Sequence, residues 1–247
     1  YLACGDTGEG KMPEPEVLLS YILRELAHEK DMKGLKVCVT AGPTRETIDP
    51  VRFISNRSTG KMGFALAKNA MERGADVTLV SGPVELKDVP FVKMVHVESA
   101  RQMFEAVTKE AETADIIVKA AAVADYRPAV VADEKIKKKE GDMSIALERT
   151  DDIIGTLGKT KRDNLFLCGF SMETEHMLEN SKAKLEKKNL DMIIANNVKV
   201  KGAGFGTDTN VVTLITKDEI KELPIMSKEA VADEIFNNIL ANRKGIV

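Results

Sequence analysis

The stretch TAGPTRETIDPVRFISNRSTGKMG, Thr40 to Gly63, decides how this chain is organised. It follows an apolar run, Leu35 to Val39, and leads into a helical pattern that begins near Thr59. A strand-to-helix connection in an α/β protein takes about 2–6 residues. This one is several times longer and dense in Gly, Ser, Thr, Asn and Arg. Connections of that length inside a compact domain are usually functional.

Outward from this stretch, short apolar or β-branched runs bounded by Gly, Asp or Asn recur. They cover residues 36–40, 76–81, 92–97, 115–120, 165–170 and 191–195 and read as buried parallel strands. Amphipathic patterns over residues 60–73, 100–113 and 174–188 alternate with them. The alternation predicts an α/β, Rossmann-like doubly wound, mostly parallel sheet, whose ligands bind beyond the carboxyl ends of the strands. Near the C-terminus NVVTLITKDEIKELPI reads as a hairpin turning at Lys217-Asp218, with a helix over 227–242 after it. At the other end YLACGDTGEGKMPEP is irregular, a helix is expected over 15–30, and KDMKG resembles a linker. Residues 1–32 are therefore expected to be the tail of a preceding domain and 33–247 the main domain. The missing initial Met points the same way, to a piece of a longer chain.

With 247 residues the chain can bury a substantial core. Apolar residues at 43% and charged residues at 30% mark an ordinary folded protein. A net charge of −3 gives no global pull toward nucleic acid or membrane, so an anion site must be local. Cys38 and Cys168 sit inside apolar runs and are expected to pack as small hydrophobes, and Cys4 has no ligand-like spacing to either. That usage suits a reducing cytoplasm. No apolar run approaches membrane-spanning length, and no signal peptide opens the chain.

Four stretches offer chemistry. In the opening segment Asn56, Ser58, Thr59 and Gly60 precede a helix, where backbone N–H groups and hydroxyls converge on a positive terminus that suits phosphate or carboxylate. The bland alternative is a surface loop with Ser58 or Thr59 as an ordinary N-cap. KAAAVADYRP, Lys119 to Pro128, ends a strand in small residues and then an acid. A flat ring can lie against such backbone, and Asp125 can accept from ribose hydroxyls; packing beneath a helix is the alternative. EKIKKKEG places Lys135, Lys137, Lys138 and Lys139 together, either as a solvated face or as a clamp on polyphosphate. Lys184 and Lys188, spaced i,i+4, share one helix face, and their ordinary role would be pairing with Glu186 and its neighbours. GAGFGTDTN lacks a following helix and reads as a turn or mobile flap, and His28, His96 and His176 show no metal spacing.

AGPTRE, IDPVRFISNRSTGKMG, AAAVADYRP, EKIKK, GFSMET and DMIIANN occur in this order and at characteristic separations. Together they resemble phosphopantothenate–cysteine ligase of the bacterial, CTP-using type, over about residues 33–242. ACGDTGEGKMPEP resembles the closing segment of the flavin-dependent decarboxylase fused ahead of that ligase in many bacteria. The residue matching Cys4 is a proton donor there, and FMN belongs only to that part, so Cys4 is expected to be idle. The resemblance implies CTP and Mg²⁺, an acyl-cytidylate of 4'-phosphopantothenate, release of pyrophosphate, and displacement of CMP by L-cysteine. It implies that Asn56 and Arg52 hold the intermediate and promote the cysteine step, while Lys135 contacts the triphosphate. Ser58, Thr59 and Gly60 are expected at the acyl substrate. Lys119, Ala120, Ala121 and Asp125, with Asp151, Asp152, Ile153, Ile154, Phe170, Lys184 and Lys188, are expected at the nucleotide. It also implies a homodimer through the C-terminal hairpin region, and a higher oligomer in the full-length fusion.

Two other readings are compatible with the strand–helix alternation. An NAD(P)-dependent short-chain oxidoreductase would need a glycine fingerprint after the first strand and a Tyr-x-x-x-Lys pair, but the residue four after Tyr126 is Val130. A non-catalytic nucleotide-binding module would need neither the long segment nor Lys135.

Overall fold

The computed structural model describes residues 12–138, 141–172, 176–196, 204 and 206–243. Its first half comprises α1 (Pro15–Leu26), β1 (Lys36–Ala41), β2 (Arg45–Asp49), β3 (Arg52–Ser55), α2 (Lys61–Glu72), β4 (Asp76–Ser81), β5 (Lys93–His96) and α3 (Ala100–Ala111). Next come β6 (Ile116–Lys119), β7 (Tyr126–Pro128), β8 (Leu147–Arg149), α4 (Ile153–Lys159), β9 (Phe166–Met172), α5 (Met177–Lys187) and β10 (Met192–Asn196). The chain closes with β11 (Thr209–Asn210), β12 (Val212–Thr216), β13 (Ile220–Glu222), β14 (Met226–Ser227) and α6 (Lys228–Asn242).

Eight strands form one sheet in the order β13-β12-β10-β9-β6-β1-β4-β5. Strands β10, β9, β6, β1, β4 and β5 run parallel, in registers such as Val39 opposite both Leu79 and Val118. β12 and β13 add an antiparallel edge. Alternation along each strand sends successive side chains to opposite faces. Val39, Leu79 and Val118 face a core layer shared with Leu66 of α2 and Phe236 of α6. Cys38, Ile117 and Leu167 face the other, with Met103 of α3, Leu157 of α4 and Leu185 of α5. Burial pushes the Cys38 thiol up to about 12 and raises that of Cys168, consistent with inert packing groups. Cys4 lies outside the described residues. Among the described residues no helix is long and apolar enough to cross a membrane.

The expected sheet and helices are present, and four features differ from expectation. The segment after β1 is not an open loop: β2 and β3 pair as an antiparallel hairpin around Pro50-Val51. β7 and β8 form a second small hairpin, and α4 follows it, capped by Asp152. Helix α1 stops at Leu26, where the Lys30 ammonium gathers the carbonyls of Arg24 (2.5 Å), His28 (3.2 Å) and Glu72 (2.5 Å). No residue of α1 is fully buried; it rests on the body through Tyr21, edge-on to Phe91, and Arg24 over the same ring.

Helix α2 meets the end of β1 at Gly63, where an added Cβ would stand 2.5 Å from Ala41 Cβ and 2.8 Å from Thr40 O. A glycine there sets the depth at which the helix start enters the sheet. Gly63→Ala should therefore overpack this contact and cost about 1–3 kcal/mol, measured by urea unfolding. Unchanged stability would mean that α2 slides freely on β1.

Candidate active site

From β1 the chain passes through α2 to β4 on one side, and from β5 it returns through α3 to β6 on the other. The carboxyl ends of β1 and β6 thus mark the topological switch point, where open α/β sheets bind ligands. The segments leaving these two strands are tied together. Thr40 Oγ1 accepts from the Ala121 amide (3.0 Å), Gly42 O from the Ala122 amide (2.9 Å), and Thr44 Oγ1 from the Ala124 amide (3.0 Å). Asn56 Nδ2 donates to Ala122 O (2.8 Å) and Ser55 Oγ to Thr44 O (2.8 Å), which turns the segment after β3 inward. The Ala121 amide is therefore already committed within the protein.

The chain then enters α2 through Gly60, in the left-handed region at φ 79°. No side chain caps this helix start; Ser58 Oγ accepts from the Gly60 amide (3.3 Å) instead. First-turn N–H groups without an internal partner favour an anion. They open on a cleft of about 430 Å³ lined by Asn56, Ser58, Thr59 and Gly60, with Lys119, Ala120, Ala121 and Asp125. Ile154, Phe170, Lys184 and Lys188 close the far side. An adjoining hollow of about 410 Å³ shares Lys119, Asp125 and Lys188 and adds Asp151, Asp152 and Ile153.

Most of the expected site residues therefore converge, with four adjustments. Arg52 does not line this cleft: its guanidinium is bound to Asp49 and to the carbonyl of Ile136. Lys135 is exposed on the neighbouring segment and is not part of the cleft wall either. Ile153 and Ile154 bury their side chains in the core, at 2% and 6% exposure, so only backbone is left for a ligand. Lys188 pairs with Asp152 (3.0 Å) rather than with Glu186. Lys139, Glu173, Thr174, Gly202, Ala203 and Phe205, from the lysine, GFSMET and glycine stretches, lie outside the described residues.

Lys61 and Lys228 also line the cleft and were not singled out from the sequence. Each is the first residue of its helix, α2 or α6, where a cation opposes the helix dipole. That mismatch was the available signal. Lys61 donates to Gly206 O (3.0 Å) and to Asp208 (2.6 Å), and buried Lys228 to Gly204 O (3.3 Å) and Thr207 O, so the described part of the glycine stretch is held down by two lysines. Buried Asn210 donates to Asn196 Oδ1 (2.8 Å) behind them.

Cations thus dominate the cleft, and the cost shows in their ionisation. Burial, then Lys188, lowers Lys119 to about 8, against the opposing pull of Asp152 and Asp125. Burial and Lys61 likewise lower Lys228. Burial pushes the Asp152 carboxyl up, but the Gly155 amide and Lys188 outweigh it and hold it below its usual value. Among the described residues no group of three or more His, Cys, Asp or Glu could hold a metal ion.

Because burial disfavours its charge, Lys119 costs stability below pH 8, and that cost is relieved as pH rises toward its unfolded value of about 10.4. An anion bound beside it restores the charge, so pyrophosphate bound in the cleft should take up protons near pH 8 and bind more weakly above it. Calorimetric titration in two buffers of different ionisation enthalpy reads that uptake, which Lys119→Met should remove. Uptake that persists in the variant would assign it to another group.

Residues 32–242 match the family described as DNA/pantothenate metabolism flavoprotein C-terminal domain. The chain is 49% identical over 249 residues to the coenzyme A biosynthesis bifunctional protein CoaBC of Bacillus subtilis (strain 168), covering 99% of this chain. It spans 61% of that relative's length. A solved C-terminal domain of CoaBC is 44% identical, with a TM-score of 0.72 over 84% of this chain and 95% of that one. A DNA/pantothenate metabolism flavoprotein from Streptococcus pneumoniae, 21% identical, shares the fold at a TM-score of 0.72, over 84% of this chain and 99% of that one. The matched residues run from just before β1 to the last residue of α6 and include the whole cleft wall, so the chain belongs to the DNA/pantothenate metabolism flavoprotein C-terminal domain family.

Proposed function

We propose that this chain ligates 4'-phosphopantothenate to L-cysteine at the expense of CTP, a step of coenzyme A biosynthesis. The observation that carries the reading is the cleft itself. An uncapped helix start and five lysines, Lys61, Lys119, Lys184, Lys188 and Lys228, face one volume at the switch point. Such a site suits a substrate pair that brings a triphosphate and a phosphorylated acid together. The 44% identity to a CoaBC C-terminal domain supports reading those anions as the substrates of coenzyme A biosynthesis. A free carboxylate is a poor acyl donor, so it is first activated as an acyl-cytidylate with loss of pyrophosphate. Cysteine's amine then displaces CMP.

On this reading Lys119, Ala120, Asp125, Phe170, Lys184 and Lys188 hold the nucleotide, with backbone from Asp151 to Ile154. Magnesium would neutralise charge on the triphosphate. Ser58, Thr59 and Gly60 present the α2 terminus to the acyl substrate. Asn56 has one amide N–H on Ala122 and can turn another toward the acyl oxygen that gains charge as cysteine attacks. Residues 1–32 are assigned to the end of a preceding decarboxylase, and FMN to that domain alone. The reading includes a homodimer. The exposed apolar side chains Val51, Phe53, Tyr126 and Leu147 of the β2–β3 and β7–β8 pairs outnumber Ile220 and Ile225 of the C-terminal hairpin region, where the resemblance puts the contact, and we place it on the former instead. Phe53→Ser should then lower the sedimentation mass where Ile220→Ser does not.

The primary test is pyrophosphate release in a single turnover with phosphopantothenate, first with CTP and then with ATP. Release with CTP before cysteine is added is the expected result; none with either nucleotide overturns the reading, and equal rates overturn the base assignment. Lys135→Ala should slow this step by the equivalent of about 1.5–3 kcal/mol, one charge-assisted phosphate contact. Asn56→Asp should leave activation intact and stall the cysteine step by about 3–4 kcal/mol, since it replaces a donor by a negative charge. Trapped acyl-cytidylate that cysteine cannot discharge is the signature. Product at the parent rate would remove Asn56 from the mechanism.

A further inference from the structure

Asp49 ends β2 and is 1% exposed. Its two oxygens have separate work. Oδ1 accepts from the amides of Val51 and Arg52, both at 2.9 Å, and so closes the hairpin turn. Oδ2 accepts from Arg52 Nε (3.0 Å) and Nη2 (2.6 Å), and from the amide of Ile136 (3.1 Å). Arg52 Nη2 donates in turn to the Ile136 carbonyl (2.7 Å). Both backbone polar groups of Ile136 are therefore held by one ion pair far away in sequence, its carboxylate buried and its guanidinium half-buried. The Ala132 amide adds a third tie to the same hairpin, on Ile48 O (3.0 Å).

Ile136 immediately follows Lys135, so the pair fixes the point from which the lysine side chain leaves the backbone. The same hairpin runs on through Ser55 into Asn56. We propose that Asp49 is a positioning residue, which with Arg52 latches Ile136 and so fixes the backbone from which Lys135 departs, beside the hairpin that leads into Asn56. The effect on Lys135 rests on the ligase reading; the latch rests on geometry alone. Arg52 accordingly acts through Asp49 and Ile136, away from the substrate. The Arg52 guanidinium holds the Asp49 carboxyl well below the usual carboxylate range, so the latch stays charged through neutral and mildly acid pH and is lost only in strong acid.

A residue that merely closes its own turn would behave differently on substitution. Asp49→Asn keeps one oxygen for the Val51 and Arg52 amides, but its NH₂ cannot accept from Ile136 or pair with Arg52. Limited trypsin digestion of the intact chain, with cuts mapped after Lys135, Lys137 and Lys138, reads the latch without any substrate. Asp49→Asn should speed those cuts by about tenfold or more relative to cuts elsewhere. Arg52→Lys, which loses the planar fork, should do the same and serves if Asp49→Asn does not fold. In the pyrophosphate assay Asp49→Asn should slow activation, and the double variant with Lys135→Ala should be no slower than Lys135→Ala alone. Cutting rates equal to the parent's in both variants, or losses that simply add in the double variant, would overturn the proposal. A parent chain that releases no pyrophosphate would overturn the ligase reading, and the trypsin comparison would still decide the latch.

Discussion

Three hydrogen bonds between the ends of β1 and β6 organise the molecule's working end. Thr40, Gly42 and Thr44 receive the amides of Ala121, Ala122 and Ala124, so two strands that carry the chain to opposite faces of the sheet stay joined just beyond it. Everything else at the site hangs from that seam. The hairpin β2–β3 can project from the sheet because its base is held there. Asn56 returns to the same alanine segment, and the chain then enters α2 at the depth that Gly63 allows. The seam also explains why small residues follow β6: their backbone must lie close enough to pair with the segment after β1.

Much of this was legible in the sequence where a local rule was enough. The parallel strands announce themselves as short apolar runs, and the hairpin at Lys217-Asp218 lies between alternating residues, as found in β12 and β13. The crowding of polar residues before α2 falls on the cleft wall, at Asn56, Ser58, Thr59 and Gly60. What local rules missed depends on distant partners. β2 and β3 carry charged residues that look like loop until Asp49 and Glu46 find partners for their carboxylates, Glu46 at the start of α3 through the Ala100 amide (2.8 Å). Arg52 reads as a substrate ligand in a polar motif; the fold adds that its Nε and Nη2 pair with Asp49. The Lys135 position rests on a segment whose tether is equally remote.

The cleft stores its specificity as unfavourable electrostatics. Lysines at the first position of α2 and of α6, beside Lys119 and its neighbours, repel one another and oppose the helix dipoles. Partial relief comes from internal anions and carbonyls, namely Asp208 for Lys61, Asp152 for Lys188, and the Thr207 carbonyl for Lys228. An anionic ligand gains by replacing these weak, partly solvated substitutes. A neutral ligand of the same shape would not, so on the proposed reading charge is the first ground of selection.

The seam has a consequence for how the molecule comes together. Its side-chain bonds, Thr40 to Ala121 and Thr44 to Ala124, join residues 81 and 80 positions apart, and the tie from Asp49 to Ile136 spans 87. Contacts of such separation pay their loop-closure entropy in full unless the intervening chain is already ordered. β4, β5 and α3 lie between them, so that half of the sheet must assemble before the cleft can exist. Binding competence is then a late property of folding, absent from partly folded forms that already hold much of the helix and strand content. A ligand for the cleft would bind the completed chain alone and so favour it at equilibrium.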